Sequence, residues 1–237
     1  MDNAVYAILG RQSGLLRAMQ VTANNIANAS TTGFRREGVV FAEHVRRLDR
    51  EPSLSLAHAS ARLVDLGEAA PEPTGGTFDL AIRGPGFFRV QTPSGDMLTR
   101  AGHFTPDAEG RLLTAEGHAL LDDGGAPIVI PPGAGRPAIA PDGTLSADGL
   151  PLGRIGLWQP TDPLSLRHAA GTLFEATNSE PVDEGATILQ GFLEGSNVNP
   201  VTEITRMIAV SRAYEAGQSL ADREDERIRA VIQTLGR

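Results

Sequence analysis

Apolar positions recur with a helical period at both ends of the chain and with a strand-like period between them. Over residues 3–28, Val5, Gln12, Met19 and Ile26 share one heptad position, and Ile8, Leu15 and Thr22 share the other. Leu9, Leu16 and Ala23 widen this stripe on one side. A helix of that length spans roughly 40 Å. It is expected to stop within 28–33, where Asn, Ser and Thr compete for backbone hydrogen bonds and a glycine admits positive φ.

The helical period returns after Asn199, a good N-cap, with Pro200 suited to the first helical position and Glu203 to the positive end of the dipole. A heptad frame then puts Met207, Tyr214, Ala221, Ile228 and Leu235 on one seam and Ile204, Ser211, Gln218, Asp225 and Ile232 on the other. The polar members make this helix weakly stable alone. Asp225 and Arg229 form a favourable i,i+4 pair.

Residues 77–190 read as β-rich. Strands are expected at 78–83, 86–91, 97–101, 111–114, 119–121, 128–130, 152–158 and 187–189. Turn signals separate them, among them Gly84-Pro85-Gly86 and Asp122 to Gly125. Residues 34–76 alternate weakly and end on the break Pro71 to Gly76; an extended connector with one or two short strands is expected. The fold class that follows is α+β, with N- and C-terminal helices forming a coiled-coil-like layer and a β-rich central domain. Its segments are an N-terminal assembly helix (1–33), a connector (34–76), the β-rich domain (77–190) and a C-terminal assembly helix (191–237).

Composition narrows what this arrangement does. A net charge of −8 argues against non-specific nucleic-acid binding. No cysteine is present, which excludes disulfides, thiolate metal sites and a cysteine nucleophile. No run approaches the ~20 apolar residues of a membrane span, so no direct membrane insertion is expected. The apolar stretch Ala4 to Leu9 is too short for a signal peptide and follows Asp2 where positive charge belongs, so export is expected to proceed without a cleaved signal.

Four blocks then stand out, in order: Ala23-Asn-Asn-Ile-Ala-Asn-Ala-Ser-Thr-Thr-Gly-Phe34; Asp79-Leu-Ala-Ile-Arg-Gly-Pro-Gly-Phe-Phe88; Leu98 to Asp107 running on to Gly117; and Gln190-Gly191 through Glu194, Ser196-Asn197-Val198, Met207-Ile208 and Arg212-Ala-Tyr-Glu215. Together they resemble the flagellar basal-body rod and hook family, and the opening Met1 to Tyr6 is most similar to its proximal rod branch. The resemblance implies terminal helices packed in an inner tube layer, a β domain outside it, and export by the flagellar type III apparatus. It implies a place in the basal-body rod, which spans the periplasm, with other flagellar rod proteins and copies of the chain itself as partners.

Candidate chemistry is weak beside this. His103 and His118 lie near Asp107, Glu116, Asp122 and Asp123 in sequence, but the spacing matches no ligand motif and the acids fall at predicted turns; a solvated hairpin surface is expected. Surface placement is expected for His44, His58 and His168. Gly84-Pro85-Gly86 lacks the spacing of a phosphate loop and precedes a strand. Asp107 to Gly110 lacks the twelfth-position acid of a calcium loop. No catalytic residue, metal or cofactor is assigned, and the chain is read as no enzyme.

The expected site is an assembly interface. Its N-terminal members are Leu15, Leu16, Met19, Asn24, Asn25, Ile26, Asn28, Thr32, Gly33 and Phe34. Its C-terminal members are Asn197, Val198, Ile204, Met207, Ile208, Arg212, Tyr214 and Glu215. Asn24 and Asn28 share a helix face while Asn25 is offset by about 100°, so the amides are expected to bond different neighbours, including backbone of the next subunit. The basic residues Arg35, Arg36, Arg46, Arg47 and Arg50 either contact acidic neighbours or are solvated. The function expected is that of a structural rod subunit of the proximal rod, self-associating through its terminal helices in the axial tube. The alternatives are a distal rod or hook component, or a secreted β-domain carbohydrate-binding protein, which one Trp and two Tyr equip poorly.

Overall fold

A computed structural model of the chain describes residues 2–48, 51–131, 133–182 and 185–235, with side chains throughout except at 2–7, 41–48, 51–61 and 235. It divides into two compact units. The first gathers Met1–Ala27, Glu37–Leu63 and Asn199–Arg237, and the second gathers Asn28–Arg36 and Val64–Val198.

The first unit holds the long helices α1 (Asp2–Ala27) and α2 (Pro200–Leu235) and the paired strands β1 (Glu37–Leu48) and β2 (Glu51–Val64). The helices run antiparallel, since Gln12 meets Tyr214 and Asn25 meets Glu203. On α1, Gln12, Leu15, Ala18, Val21, Thr22 and Asn25 are buried, a spacing of three and four that marks one helix face. Both seams read for α1 contribute to it: Gln12 from one, Leu15 and Thr22 from the other. Leu9, Leu16 and Ala23, the positions that widened the stripe, are exposed. Asn199 caps α2, its Oδ1 accepting from the backbone N–H groups of Val201 (3.1 Å) and Thr202 (3.2 Å).

One expected seam is displaced. On α2 the more covered positions follow Glu203, Met207, Val210, Tyr214, Gly217, Ala221, Glu224, Ile228 and Val231, an alternating four–three spacing, with Ser211 and Ala213 also half-buried beside it. The Met207 seam matches this spacing, but its companion runs through Glu203, Val210, Gly217, Glu224 and Val231, one residue before the Ile204 frame. The physical reason lies at two polar points. Glu203 is held inside by Asn25, and Gly217 is the position where a side chain would strike Gln12, its ideal Cβ falling 2.8 Å from Gln12 Nε2. Ile204 and Ile208 are left 49% exposed.

The 34–76 segment carries more structure than one or two short strands. β1 and β2 run 12 and 14 residues. A two-stranded ribbon has no sheet interior to impose alternation on its side chains, so the period was faint in the sequence.

The second unit is built from short antiparallel strands: β3 (Pro71–Pro73), β4 (Leu80–Arg83), β5 (Phe87–Thr92), β6 (Gly95–Thr99), β7 (Thr105–Pro106), β8 (Leu112–Leu113), β9 (Ala119–Leu120), β10 (Pro137–Ile139), β11 (Thr144–Ala147) and β12 (Leu150–Arg154). They continue with β13 (Leu157–Pro160), β14 (Arg167–Ala170), β15 (Leu173–Glu175), β16 (Ser179–Pro181), β17 (Thr187–Gln190) and β18 (Phe192–Glu194). The main sheet orders β14-β15-β6-β5-β9-β8-β7, with β13 pairing β5 and β16. Its core centres on Phe88 and Phe104, packed edge to face at 5.4 Å, with Leu80, Val90, Leu112 and Leu120 around them.

The expected strand 152–158 is two strands in different sheets, β12 and β13. The expected strand 128–130 takes part only through isolated bridges, such as Arg111 with Val129. The C-terminal end of this unit returns to its start. β17 pairs with β4, placing Ile188 opposite Ile82, and β18 pairs with β3, placing Glu194 opposite Pro71.

Candidate assembly site

In the second unit, two segments far apart in sequence are stitched together. Gly33 adopts φ +71°, and a Cβ there would lie 2.2 Å from the Ala101 nitrogen, so the chain passes against the β domain at a point only glycine fits. Its N–H donates to the Glu194 carbonyl (2.8 Å). Phe34, 1% exposed, stacks on the His168 ring at 5.1 Å, and His168 in turn meets Phe174 at 4.3 Å. His168 Nε2 donates to the Arg35 carbonyl (2.9 Å). This corrects the expectation of a surface histidine: the ring fills the space between two phenylalanines.

Beneath the turn lies a buried Arg–Glu–Arg cluster. Glu194 Oε1 pairs with Arg35 Nη2 at 2.7 Å and its Oε2 with Arg100 Nη1 at 3.0 Å. Arg35 Nη1 also donates to the Gly67 carbonyl, Arg100 Nη2 to the Gly84 carbonyl (2.7 Å), and the Ala69 N–H to Glu194 Oε1 (3.0 Å). Burial pulls the Arg100 guanidinium below its ordinary value, while the Glu194 charge works against that pull. Asn197 completes the stitch: its Oδ1 accepts from the Arg36 N–H (2.6 Å), and its Nδ2 donates to the carbonyls of Gly67 (2.8 Å) and Asp65 (3.1 Å).

The first unit has its own polar lock. Asn25 is 0% exposed. Its Oδ1 accepts from the Glu37 N–H (2.9 Å), and its Nδ2 donates to the Glu37 carbonyl (2.8 Å) and to Glu203 Oε2 (3.1 Å). One amide therefore ties the end of α1, the start of β1 and the first turn of α2. Further along, Gln12 Nε2 donates to the Tyr214 carbonyl (3.1 Å).

These buried amides and charged groups hold the chain together, though Gln12 Oε1 and His168 Nδ1 have no hydrogen-bond partner, and among the described residues no nucleophile and base meet in an open cleft. Three family profiles match segments of the chain: flagella basal body rod protein over residues 6–35, flagellar hook protein FlgE/F/G D1 domain over 81–147, and flagellar basal body rod FlgEFG protein C-terminal over 189–234. The flagellar basal-body rod protein FlgF of Caulobacter vibrioides is 39% identical over 100% of this chain and 99% of its own. FlgF of Escherichia coli is 34% identical over 99% of each chain, and FlgG of Bacillus subtilis 30% over 98% of each. The chain belongs to the flagellar basal-body rod protein family. That family is structural and not enzymatic.

Within this rod protein the sequence-predicted interface residues sort by exposure. Leu15, Asn25, Gly33, Phe34 and Val198 are buried. The Asn25 amide, expected to reach a neighbouring subunit, has its hydrogen bonds within the chain. Leu16, Asn24, Ile204, Ile208, Arg212 and Glu215 are exposed, and Met19, Ile26, Asn28, Thr32, Asn197, Met207 and Tyr214 are half-buried. Asn28 Oδ1 accepts from Thr31 Oγ1 (3.1 Å).

Sequence reasoning missed Arg35, Glu37, Arg100, Glu194 and Glu203, the buried charges that hold the stitch and the lock. Arg35 opens the basic run and was given neighbouring subunits or solvent; its partner is Glu194 of the same chain. The side chains of Arg46, Arg47, Arg50, His44 and His58 lie outside the described residues. Asp225 and Arg229 pair at 2.8 Å as expected.

The suspected chemistry resolves into surface clips. His103 Nδ1 lies 2.6 Å from Asp79 Oδ1, and Thr74 Oγ1 donates to Asp79 Oδ2 (2.6 Å). Burial alone would raise the Asp79 carboxyl, but the hydrogen bonds from Thr74 and His103 outweigh it and hold the group below its usual range. The single tryptophan, Trp158, is covered by the Arg89 guanidinium at 3.7 Å from the ring centroid, so it is no open platform for a sugar. Among the described residues, no helix is long and apolar enough to cross a membrane.

Proposed function

We propose that the chain is a FlgF-type structural subunit of the proximal flagellar rod, exported by the flagellar type III apparatus and assembled through the outer faces of its paired terminal helices. The observation that carries this is the displaced seam of α2. Because α1 covers the Glu203–Met207–Val210 face, a second apolar stripe, Val201, Ile204 and Ile208, is left exposed at 73%, 49% and 49%. Leu9 and Leu16 are exposed on α1. Apolar residues at helical spacing on a surface that a monomer has no use for are what a repeating assembly covers. Covering one half-exposed isoleucine contributes about 1 kcal/mol, small singly but multiplied along a tube.

The test is the double substitution I204D/I208D in a strain lacking the native protein. The purified variant is expected to melt like its parent, because neither side chain is part of the buried face. In cells it is expected to be exported but absent from isolated basal bodies, with motility lost. Normal incorporation and swimming would overturn the reading.

A further inference from the structure

The helical unit has two unlike sides, and they complement each other. On one side a groove of about 280 Å3 opens along α2, floored by Ala213, Ala216, Gly217 and Leu220 and rimmed by Arg11 and Arg223. Neither arginine has an ion-pair partner among the described residues. Against the floor lies Gln12, 92% buried, whose Oε1 lacks a hydrogen-bond partner. A Cβ on Gly217 would come within 2.8–3.4 Å of its carboxamide, so the small floor and this unmet acceptor occupy the same place.

At 100° per residue, Ile204, Ile208, Ser211, Glu215 and Asp222 fall within about 60° of one another around α2, roughly 150° from the centre of the groove residues. This stripe is apolar at its start and acidic further on. Among the described residues its two acids accept only long hydrogen bonds from neighbours on their own helix: Glu215 from Ser211 Oγ (3.4 Å) and Asp222 from Gln218 Nε2 (3.5 Å).

We propose that the Arg11–Arg223 groove receives the Ile204–Asp222 stripe of a second copy of this chain. Ile208 seats on the Ala213–Ala216–Gly217 floor, and Glu215, about 10 Å further along the stripe, meets Arg223, which stands about the same distance beyond the floor. The contact is heterologous, one patch against a different patch, and it leaves on each copy one groove and one stripe for the next. It therefore propagates and does not close as a two-fold dimer. With Ile208 seated, the charge selects orientation: reversing the incoming helix would set Glu215 away from Arg223. The proposal rests on assembly through the terminal helices and adds the partner and the polarity of the contact.

The chain has no cysteine, so single thiols report contacts cleanly. I208C and A216C are made in separate full-length chains, purified, mixed and mildly oxidised. The mixed disulfide is expected to form about tenfold faster than either self-dimer, R223E in the A216C chain to slow it by about tenfold, and E215R in the I208C chain to restore it. A mixed rate no greater than the self-rates, or a slowed rate that E215R does not restore, overturns the proposal. The same thiols are then combined in one chain and scored in isolated basal bodies. Protein retained there without disulfide-linked multimers overturns the copy-to-copy contact and leaves rod assembly standing. Loss of retention with the mixed disulfide intact in solution removes the rod reading and leaves the contact.

Discussion

Substituting Asn25 separates two roles for the amide-rich segment that ends α1. If Asn25 served a neighbouring subunit, the isolated protein would be indifferent to its loss and only assembly would fail. The structure makes it an internal lock. Asn25→Ala strands the Glu37 N–H and carbonyl, and one Glu203 oxygen loses a donor, all in a site with no exposure. Each unsatisfied buried group costs about 1–3 kcal/mol, and water entering the space of the lost amide offsets part of this, so the sum is about 2–4 kcal/mol. For a unit of this size that lowers the midpoint of helix melting by about 10–20 °C. Asn25→Asp sharpens the test. It keeps the volume and the acceptor for Glu37 N–H but turns a carboxylate toward the Glu37 carbonyl and the Glu203 carboxylate, so it is expected to melt no higher than the alanine variant at neutral pH and to recover on acidification. The assay is thermal melting of the purified monomer by far-ultraviolet circular dichroism. An alanine variant melting within about 2 °C of its parent would refute the lock.

Three further outcomes follow from the second unit. Glu194→Gln leaves the Arg35 and Arg100 guanidinium groups buried without their shared carboxylate and is expected to cost about 3–5 kcal/mol in urea unfolding of the β domain. Gly33→Ala adds about 1–2 kcal/mol for its positive φ to an overlap with the Ala101 backbone that no side-chain movement relieves; loss of the Phe34–His168 stack, read by near-ultraviolet circular dichroism, is its signature. The lowered Asp79 carboxyl predicts a pH dependence: its contribution is fully present above its unfolded value of 3.8 and is lost as pH falls through the lower folded value, so Asp79→Asn is expected to flatten the acid limb of a stability–pH curve and leave the neutral limb parallel to the parent's.

What could be read from the sequence depended on whether one local pattern decided the outcome. The two helices were legible because long amphipathic periods and a cap at Asn199 act within single segments, and the ends of α1 and α2 lie within a residue or two of those expected. The strands Pro137–Ile139, Leu173–Glu175 and Phe192–Glu194 were not, being three residues each and defined by partners distant in sequence. The buried charges were harder still. Nothing local distinguishes Arg35 from Arg36, yet one is sealed against Glu194 and the other is half-buried; only the return of β18 to β3 brings that carboxylate to it.

The seam of α2 shows the same limit with a functional consequence. A heptad frame chosen by hydrophobicity puts Ile204 and Ile232 inside and Glu203 and Gly217 outside, because it scores each residue against an anonymous apolar partner. The actual partner is specific: Asn25 offers Glu203 a donor, and the Gln12 carboxamide lies where a side chain on residue 217 would meet it. Once these two polar contacts set the rotation of α2, the isoleucines turn outward without any strain, since a shift of one residue moves every side chain by about 100°. Stability of the pair is given up where Ile204 and Ile208 could have been buried, and what is gained is an exposed apolar stripe along α2. Polar residues in a helical seam are thus the cause of the sticky outer face and not its dilution. Removing the polar preference, by Glu203→Leu together with Asn25→Leu, is expected to let α2 rotate toward the hydrophobic frame, stabilise the monomer and bury the Ile204–Ile208 stripe.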